Sequence, residues 1–174
     1  GSASGQLQAG GRDVELHEAG ARIGRPALQG LTNAAGCGLV AHEKDAVFLE
    51  NGDDNVTAAA WYGAHLAPLA IDVKIRKAQD VMRVGDGEIL LYHCPGHSPG
   101  SMVYMAKLGD ERVLFAQDVH GPLDPMLLSD RKAYLRSLKF MRDLEADILC
   151  EGHFGIYRGK KAVRRFIESY LNAA

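Results

Sequence analysis

The chain has 174 residues, enough to bury one sizeable core, and its 47% hydrophobic and 24% charged residues are ordinary for a globular protein. A net charge of −2 supplies no global field for nucleic acid or an acidic membrane surface. No run reaches the roughly 18 apolar residues of a membrane span, and no secretory signal is legible at the N-terminus. Three cysteines without CxxC spacing point to reduced thiols and a cytoplasmic setting.

The opening "GSASG" reads as a tag remnant or linker, and residues 1–12 are expected to be mobile. A single domain is expected over 13–174. "RPALQGLTNAAG" (25–36) predicts a short helix with Pro26 in its first turn, "CGLVAH" (37–42) a buried strand and "EKDAVFLEN" a helix closed at Asn51-Gly52. The Ala-rich "NVTAAAWYGAHL" (55–66) predicts another helix. From residue 69 the pattern alternates with period two: "LAIDVKI", then two strands around Gly85-Asp86-Gly87, then "SMVYMA" and "ERVLFAQD" around "KLGDE". "SDRKAYLRSLKFMRDL" (129–144) carries an apolar stripe, with Ser129 expected as N-cap; the strand "ADILCEGH" and the amphipathic helix "KKAVRRFIESYL" follow. Helices flanking a block of mostly antiparallel strands give a layered α/β fold.

Three strands end in the same way, with an apolar run followed at once by a polar, metal-competent residue. "ILLYHCPGH" delivers His97, "RVLFAQDVH" delivers Asp118 and His120, and "ADILCEGH" delivers His153. Ends of neighbouring strands share one edge of a sheet, so these side chains are expected to converge. Two imidazoles and a carboxylate suit zinc, or iron or manganese. Gly96, Pro99 and Gly100 would fix the loop under His97, and Gly152 would permit a sharp turn before His153. A lone histidine after a strand is more commonly a surface or satisfied residue, and His42, His65 and His93 fit that plainer description.

"CPGHSPGSMVY", "VLFAQDVHGPL" and "ILCEGHFGIY" resemble, in order and spacing, the last three metal-binding motifs of the metallo-β-lactamase superfamily. The resemblance covers about residues 37–172. It implies an αββα sandwich and carries over His97, Asp118 and His153 as metal ligands. The family's first motif, His-x-His-x-Asp-His, falls in register on "HEAGARIGRPALQ", where only His17 matches. Ala19, Ala21 and Arg22 stand at the other three ligand positions, and the strands that normally precede the motif are expected to be largely missing.

The resemblance implies a metal-dependent hydrolase with an incomplete site, its substrate unspecified. One or two zinc ions, or iron or manganese, would sit on His97, Asp118, His153 and His17. Asp118 would serve as a ligand or as the base that positions water, while His120 would support a ligand from behind or contact substrate. Tyr157 would hydrogen-bond a developing oxyanion, or simply pack. The alternative is a truncated, non-catalytic family member that binds no metal and acts as an interaction module. Apolar surface left by the missing strands predicts a homodimer. The basic helix face at Lys160, Lys161, Arg164 and Arg165 lacks a stacking platform, so nucleic acid is disfavoured as a partner.

Overall fold

The computed structural model describes residues 38–173 together with two short N-terminal strands, β1 (Leu7–Ala9) and β2 (Arg12–Val14). These two pair antiparallel, with Leu7 opposite Val14. Two strands therefore stand in a stretch from which the sequence pattern predicts none. The helix expected over 25–36 lies outside the described residues.

β3 (Val40–His42) leads directly into helix α1 (Glu43–Asn51), and Gly52 closes the helix in a left-handed conformation (φ 64°) as expected. The helix begins at His42, whose Nδ1 accepts the Lys44 N–H at 3.2 Å. β4 (Val73–Ile75) lies parallel to β3 and pairs with it rather than joining the large sheet. It is shorter than the alternation from residue 69 predicts: just before it the Asp72 side chain accepts the Leu39 N–H at 2.7 Å.

The helix predicted over 55–66 does not form; this stretch is a run of turns containing one 3₁₀ segment, Ala59–Tyr62. Local carboxylates win over alanine propensity here. Asp53 Oδ1 accepts the N–H groups of Asn55 and Val56, and Asp54 Oδ1 captures the Leu66 N–H at 2.6 Å. Trp61 and Tyr62 stay exposed, so the segment buries no apolar face that could stabilise a full helix.

The remaining strands build a six-stranded sheet in the order β10-β9-β8-β7-β6-β5. β5 (Gln79–Val84) and β6 (Gly87–His93) form the hairpin read at Gly85-Asp86-Gly87, and β7 (Met102–Leu108) and β8 (Glu111–Ala116) form the next. β9 (Ile148–Glu151) runs parallel to β8 after the α2 crossover, and β10 (Gly155–Arg158), absent from the sequence reading, returns antiparallel at the edge. Helices α2 (Arg131–Asp143) and α3 (Lys160–Ala173) cover one face. Their buried stripes, Tyr134, Leu138 and Met141 on α2 with Val163 and Ile167 on α3, pack on Val103, Met105, Leu114 and Leu149. The N-cap of α2 is Asp130, which accepts the Ala133 N–H at 2.9 Å; Ser129 is committed elsewhere. On the opposite face a smaller cluster of Ile75, Leu91 and Met102 lies beside Val40 and Tyr104.

Along that second face the register places Tyr104 beside Phe115, Phe115 beside Cys150 and Cys150 beside Ile156. Phe115 and Ile156 keep 38% and 59% of their surface, so this row is half open. Cys94 and Cys150 are free thiols, and burial pushes Cys94 up to about 12. No helix among the described residues is long and apolar enough to cross a membrane.

His42 and His93 stack with ring centroids 3.8 Å apart and an interplanar angle of 12°. Burial, then the neighbouring His93 and Lys44, hold His42 below its ordinary value of 6.5. The folded chain therefore carries His42 neutral where the unfolded chain would protonate it. That contribution is complete above the unfolded value and is lost as pH falls through the lowered folded value. Urea denaturation should thus show stability declining below about pH 6.5. In His42→Asn, which retains a capping oxygen, this decline should be visibly flatter.

Candidate metal centre

The large sheet brings three connecting segments to one end. His93 pairs with Met102, Val103 with Ala116, Ala116 with Glu151, and Glu151 with Gly155. The loop after β6, the loop after β8 and the turn after β9 therefore leave the sheet side by side. They carry His97, Asp118 and His120, and His153.

The His97 loop is clamped from two sides. Asp45 on α1 accepts the Gly100 N–H at 2.6 Å and the Ser98 hydroxyl. From the start of α2, the Asp130 N–H donates to the Gly96 carbonyl at 2.9 Å, and the Ser129 hydroxyl donates to the His97 carbonyl at 2.6 Å. Ser137 adds a hydrogen bond to the Pro95 carbonyl. Gly96 is needed for two reasons: its φ is 142°, and a Cβ there would lie 2.2 Å from the Tyr134 backbone. A Cβ on Gly100 would lie 2.6 Å from Asp45. Gly152, in contrast, is not in the left-handed region and a Cβ there would meet only ordinary contacts; the left-handed residue of that turn is Gly155, with φ 93°.

Asp118 is buried (7% exposed) and adopts φ 49°, unusual for any residue but glycine or Asn/Asp. Its two oxygens face different imidazoles: Oδ2 lies 3.4 Å from His97 Nε2, and Oδ1 lies 2.8 Å from His153 Nε2. The loop is anchored behind by the Tyr134 hydroxyl, which donates to the Val119 carbonyl. His97 Nδ1 is 2.8 Å from the Pro122 carbonyl, which fixes a proton on Nδ1 and makes Nε2 the nitrogen able to offer a lone pair.

Asp118, His120 and His153 each offer a ligand atom within 4.8 Å of the other two. This donor set of two imidazoles and a carboxylate fits a divalent transition-metal ion. His97 adjoins the set through the second oxygen of Asp118.

Glu151, which the sequence reading passed over, lies behind this group with its side chain fully buried. Oε1 is 2.9 Å from His120 Nδ1, and Oε2 accepts the N–H groups of His153 at 2.7 Å and Phe154 at 2.8 Å. Burial pushes its pKa up, but the hydrogen bonds from His120, His153 and Phe154 outweigh that, and the carboxyl titrates below its ordinary range. The available signal was a lone acid closing the apolar run "ADILCE", since a charge buried in a strand demands partners.

The other singled-out residues are elsewhere engaged. Tyr157 is on β10 with its ring stacked on Phe166, centroids 4.1 Å apart. His65 pairs with Asp54 on the surface, and His93 is turned toward His42 and the Pro99 carbonyl. His17 and the Ala19, Ala21 and Arg22 positions lie outside the described residues.

The sequence model of the metallo-beta-lactamase superfamily matches residues 27–153, a span that contains all three strand-end motifs. The chain belongs to this superfamily. Its fold is similar to that of MIM-2 metallo-beta-lactamase (TM-score 0.65, 20% identity), covering 84% of this chain and 62% of that one. It is also similar to a Cronobacter sakazakii metallo-beta-lactamase with a HARLDQ motif (0.67, 17%; 84% and 65%). A third similar structure is MIM-1 from Novosphingobium pentaromativorans (0.62, 19%; 84% and 63%). The chain thus spans somewhat less than two thirds of the length of these metallo-β-lactamases. No curated protein sequence matches it significantly.

The clamp on the His97 loop should be sensitive to one methyl group. Gly96→Ala should cost about 2 kcal/mol or more, from the close approach and the strained backbone together. Gly87→Ala, where a Cβ meets only the Val84 carbonyl at 3.5 Å, should be nearly neutral. Paired urea titrations measure both.

Proposed function

We propose that the chain is a metal-dependent hydrolase of the metallo-β-lactamase superfamily. The observation that carries this reading is the convergence of three strand ends on Asp118, with His120 and His153 within 4.8 Å and His97 at its other oxygen. A fold likeness without such a cluster would support nothing beyond the fold. Among the described residues, Asp118 and His153 would hold the ion, and His97 would hold a second ion or complete the shell. Zinc is the favoured metal for this donor set, with iron or manganese as alternatives. When bound, such an ion supplies Lewis-acid activation of water near neutral pH.

The chain's own residues supply the rest. Asp118, held by its loop with one oxygen toward each of two imidazoles, is placed to orient the attacking water and accept its proton. Hydrolysis adds water across the scissile bond, with hydroxide going to the acyl or phosphoryl centre and the proton to the leaving group. Glu151 and the Pro122 carbonyl keep the imidazoles of His120 and His97 from turning away. Hydrogen bonds from α1 and α2 keep the His97 loop from relaxing when solvent enters.

Elemental analysis of protein purified without chelator tests the reading. One or two zinc, iron or manganese ions per chain are expected, and Asp118→Asn should lose metal while keeping its fold, because Asn tolerates the left-handed backbone. Hydrolysis of a panel of thioester, phosphodiester, lactam and lactone substrates should fall about 100-fold or more in that variant. A metal-free wild-type chain, indifferent to chelator, would replace the hydrolase reading with the non-catalytic one.

The half-open row of Tyr104, Phe115, Cys150 and Ile156 supports our further expectation that two copies pair through this face. Multi-angle light scattering should give twice the chain mass at micromolar concentration; a monodisperse monomer rejects the pairing.

A further inference from the structure

His120 can serve this site in two ways, and its hydrogen bonds distinguish them. A histidine present only to satisfy a buried carboxylate would need one nitrogen on Glu151 and nothing particular beside the other. Here Nδ1 is 2.9 Å from Glu151 Oε1, and the same side chain also offers a ligand atom within 4.8 Å of those of Asp118 and His153. The ring is fixed edgewise against His153, centroids 5.0 Å apart, and against Phe154, centroids 4.7 Å apart.

The direction of the Nδ1 bond follows from its partner. Glu151 Oε2 is already committed as acceptor to two backbone N–H groups, and an ionised carboxylate has no proton to give. The hydrogen therefore sits on His120 Nδ1, which makes Nε2 the nitrogen able to offer a lone pair. His97 shows the same arrangement with a backbone carbonyl, Pro122, in place of the carboxylate. Histidines that bind metals commonly have the second nitrogen held in this way.

We propose that His120 is a metal ligand of this chain, alongside Asp118 and His153, and that Glu151 is the positioning residue that makes it one by keeping its proton on Nδ1. This rests on the metal-dependent reading above. It assigns His120 to the ion rather than to substrate, and it gives the buried acid of β9 a purpose beyond ordering the turn.

Glu151→Gln separates the two contributions of Glu151. A glutamine can still accept the His153 and Phe154 N–H groups through its carbonyl oxygen. Its amide nitrogen then faces His120 Nδ1 as a donor, which forces the ring proton onto Nε2 and removes the ligand lone pair. The turn survives while the ligand is lost.

The test uses the full chain, stripped of metal and titrated with Co²⁺ while its visible absorption is recorded. Long-range ¹H–¹⁵N correlation on the metal-free protein reads the tautomer of His120 directly. Wild type should show the Nδ1–H tautomer and Glu151→Gln the Nε2–H tautomer. Both Glu151→Gln and His120→Asn should bind Co²⁺ about 10- to 100-fold more weakly, with the same altered absorption bands and an unchanged circular dichroism spectrum. A wild-type Nε2–H tautomer overturns the proposal without reference to metal, even if the variants fail to fold. Co²⁺ binding by His120→Asn with wild-type affinity and bands also overturns it, and leaves the hydrolase reading intact with His120 facing substrate. Failure of the wild-type chain to bind Co²⁺ at all removes the metal-dependent reading and this inference with it.

Discussion

Two buried carboxylates at one end of the sheet, Asp118 and Glu151, set the terms for everything around them. A carboxylate out of water is tolerable only where donors or cations replace the lost hydration. Histidines and backbone N–H groups supply them here. His153 spans both acids, donating its backbone N–H to Glu151 and presenting its ring to Asp118, and His120 joins Glu151 to the same group. The cluster is a connected network, and a connected polar network rigidifies where a partial one would destabilise.

That network needs a rigid frame, which the hydrogen-bond ladder provides. Strands β6, β8 and β9 end, and β7 and β10 begin, in register at one side of the sheet, so the loops there emerge together. Helices α1 and α2 then fix the least regular loop through Asp45, Ser129, Asp130 and Ser137, residues with short side chains that lose little entropy on being held. The strained backbone of Asp118 fits this picture. An uncommon conformation persists because the surroundings determine it, and it aims the carboxylate into the cluster rather than along the chain.

The superfamily assignment and the chemistry rest on different kinds of support. Similarity at 14–23% identity speaks for the fold. What speaks for hydrolysis is local: a carboxylate between the imidazoles of His97 and His153, with the rear nitrogens of His97 and His120 each held by an acceptor. Substrate choice depends on walls and rims around the centre, and a strand-end cluster does not encode them.

The sequence by itself determined the α/β class, the two hairpins, both amphipathic helices and the position of His97, Asp118, His120 and His153 just after strand ends. Those are local properties: periodicity two or 3.6, glycine at turns, and polar residues placed straight after apolar runs. Tertiary structure alone decided the rest. Alanine propensity predicts a helix over 55–66, yet the carboxylates of Asp53 and Asp54 and the lack of a face to bury leave turns. Alternation puts "LAIDVKI" with the antiparallel strands, yet its last residues pair parallel to β3, because strand partnership is a long-range property with no mark in the strand itself. The short edge strand β10 is stabilised by its ladder to β9 and has no pattern of its own. Ser129 reads as the N-cap of α2, but the His97 carbonyl claims its hydroxyl and Asp130 caps the helix instead. Glu151 stands out in the sequence only as an acid closing an apolar run; that it is buried against His120 is decided by the fold. The value of a charged residue depends on how much water the fold removes from it, and no local pattern carries that information.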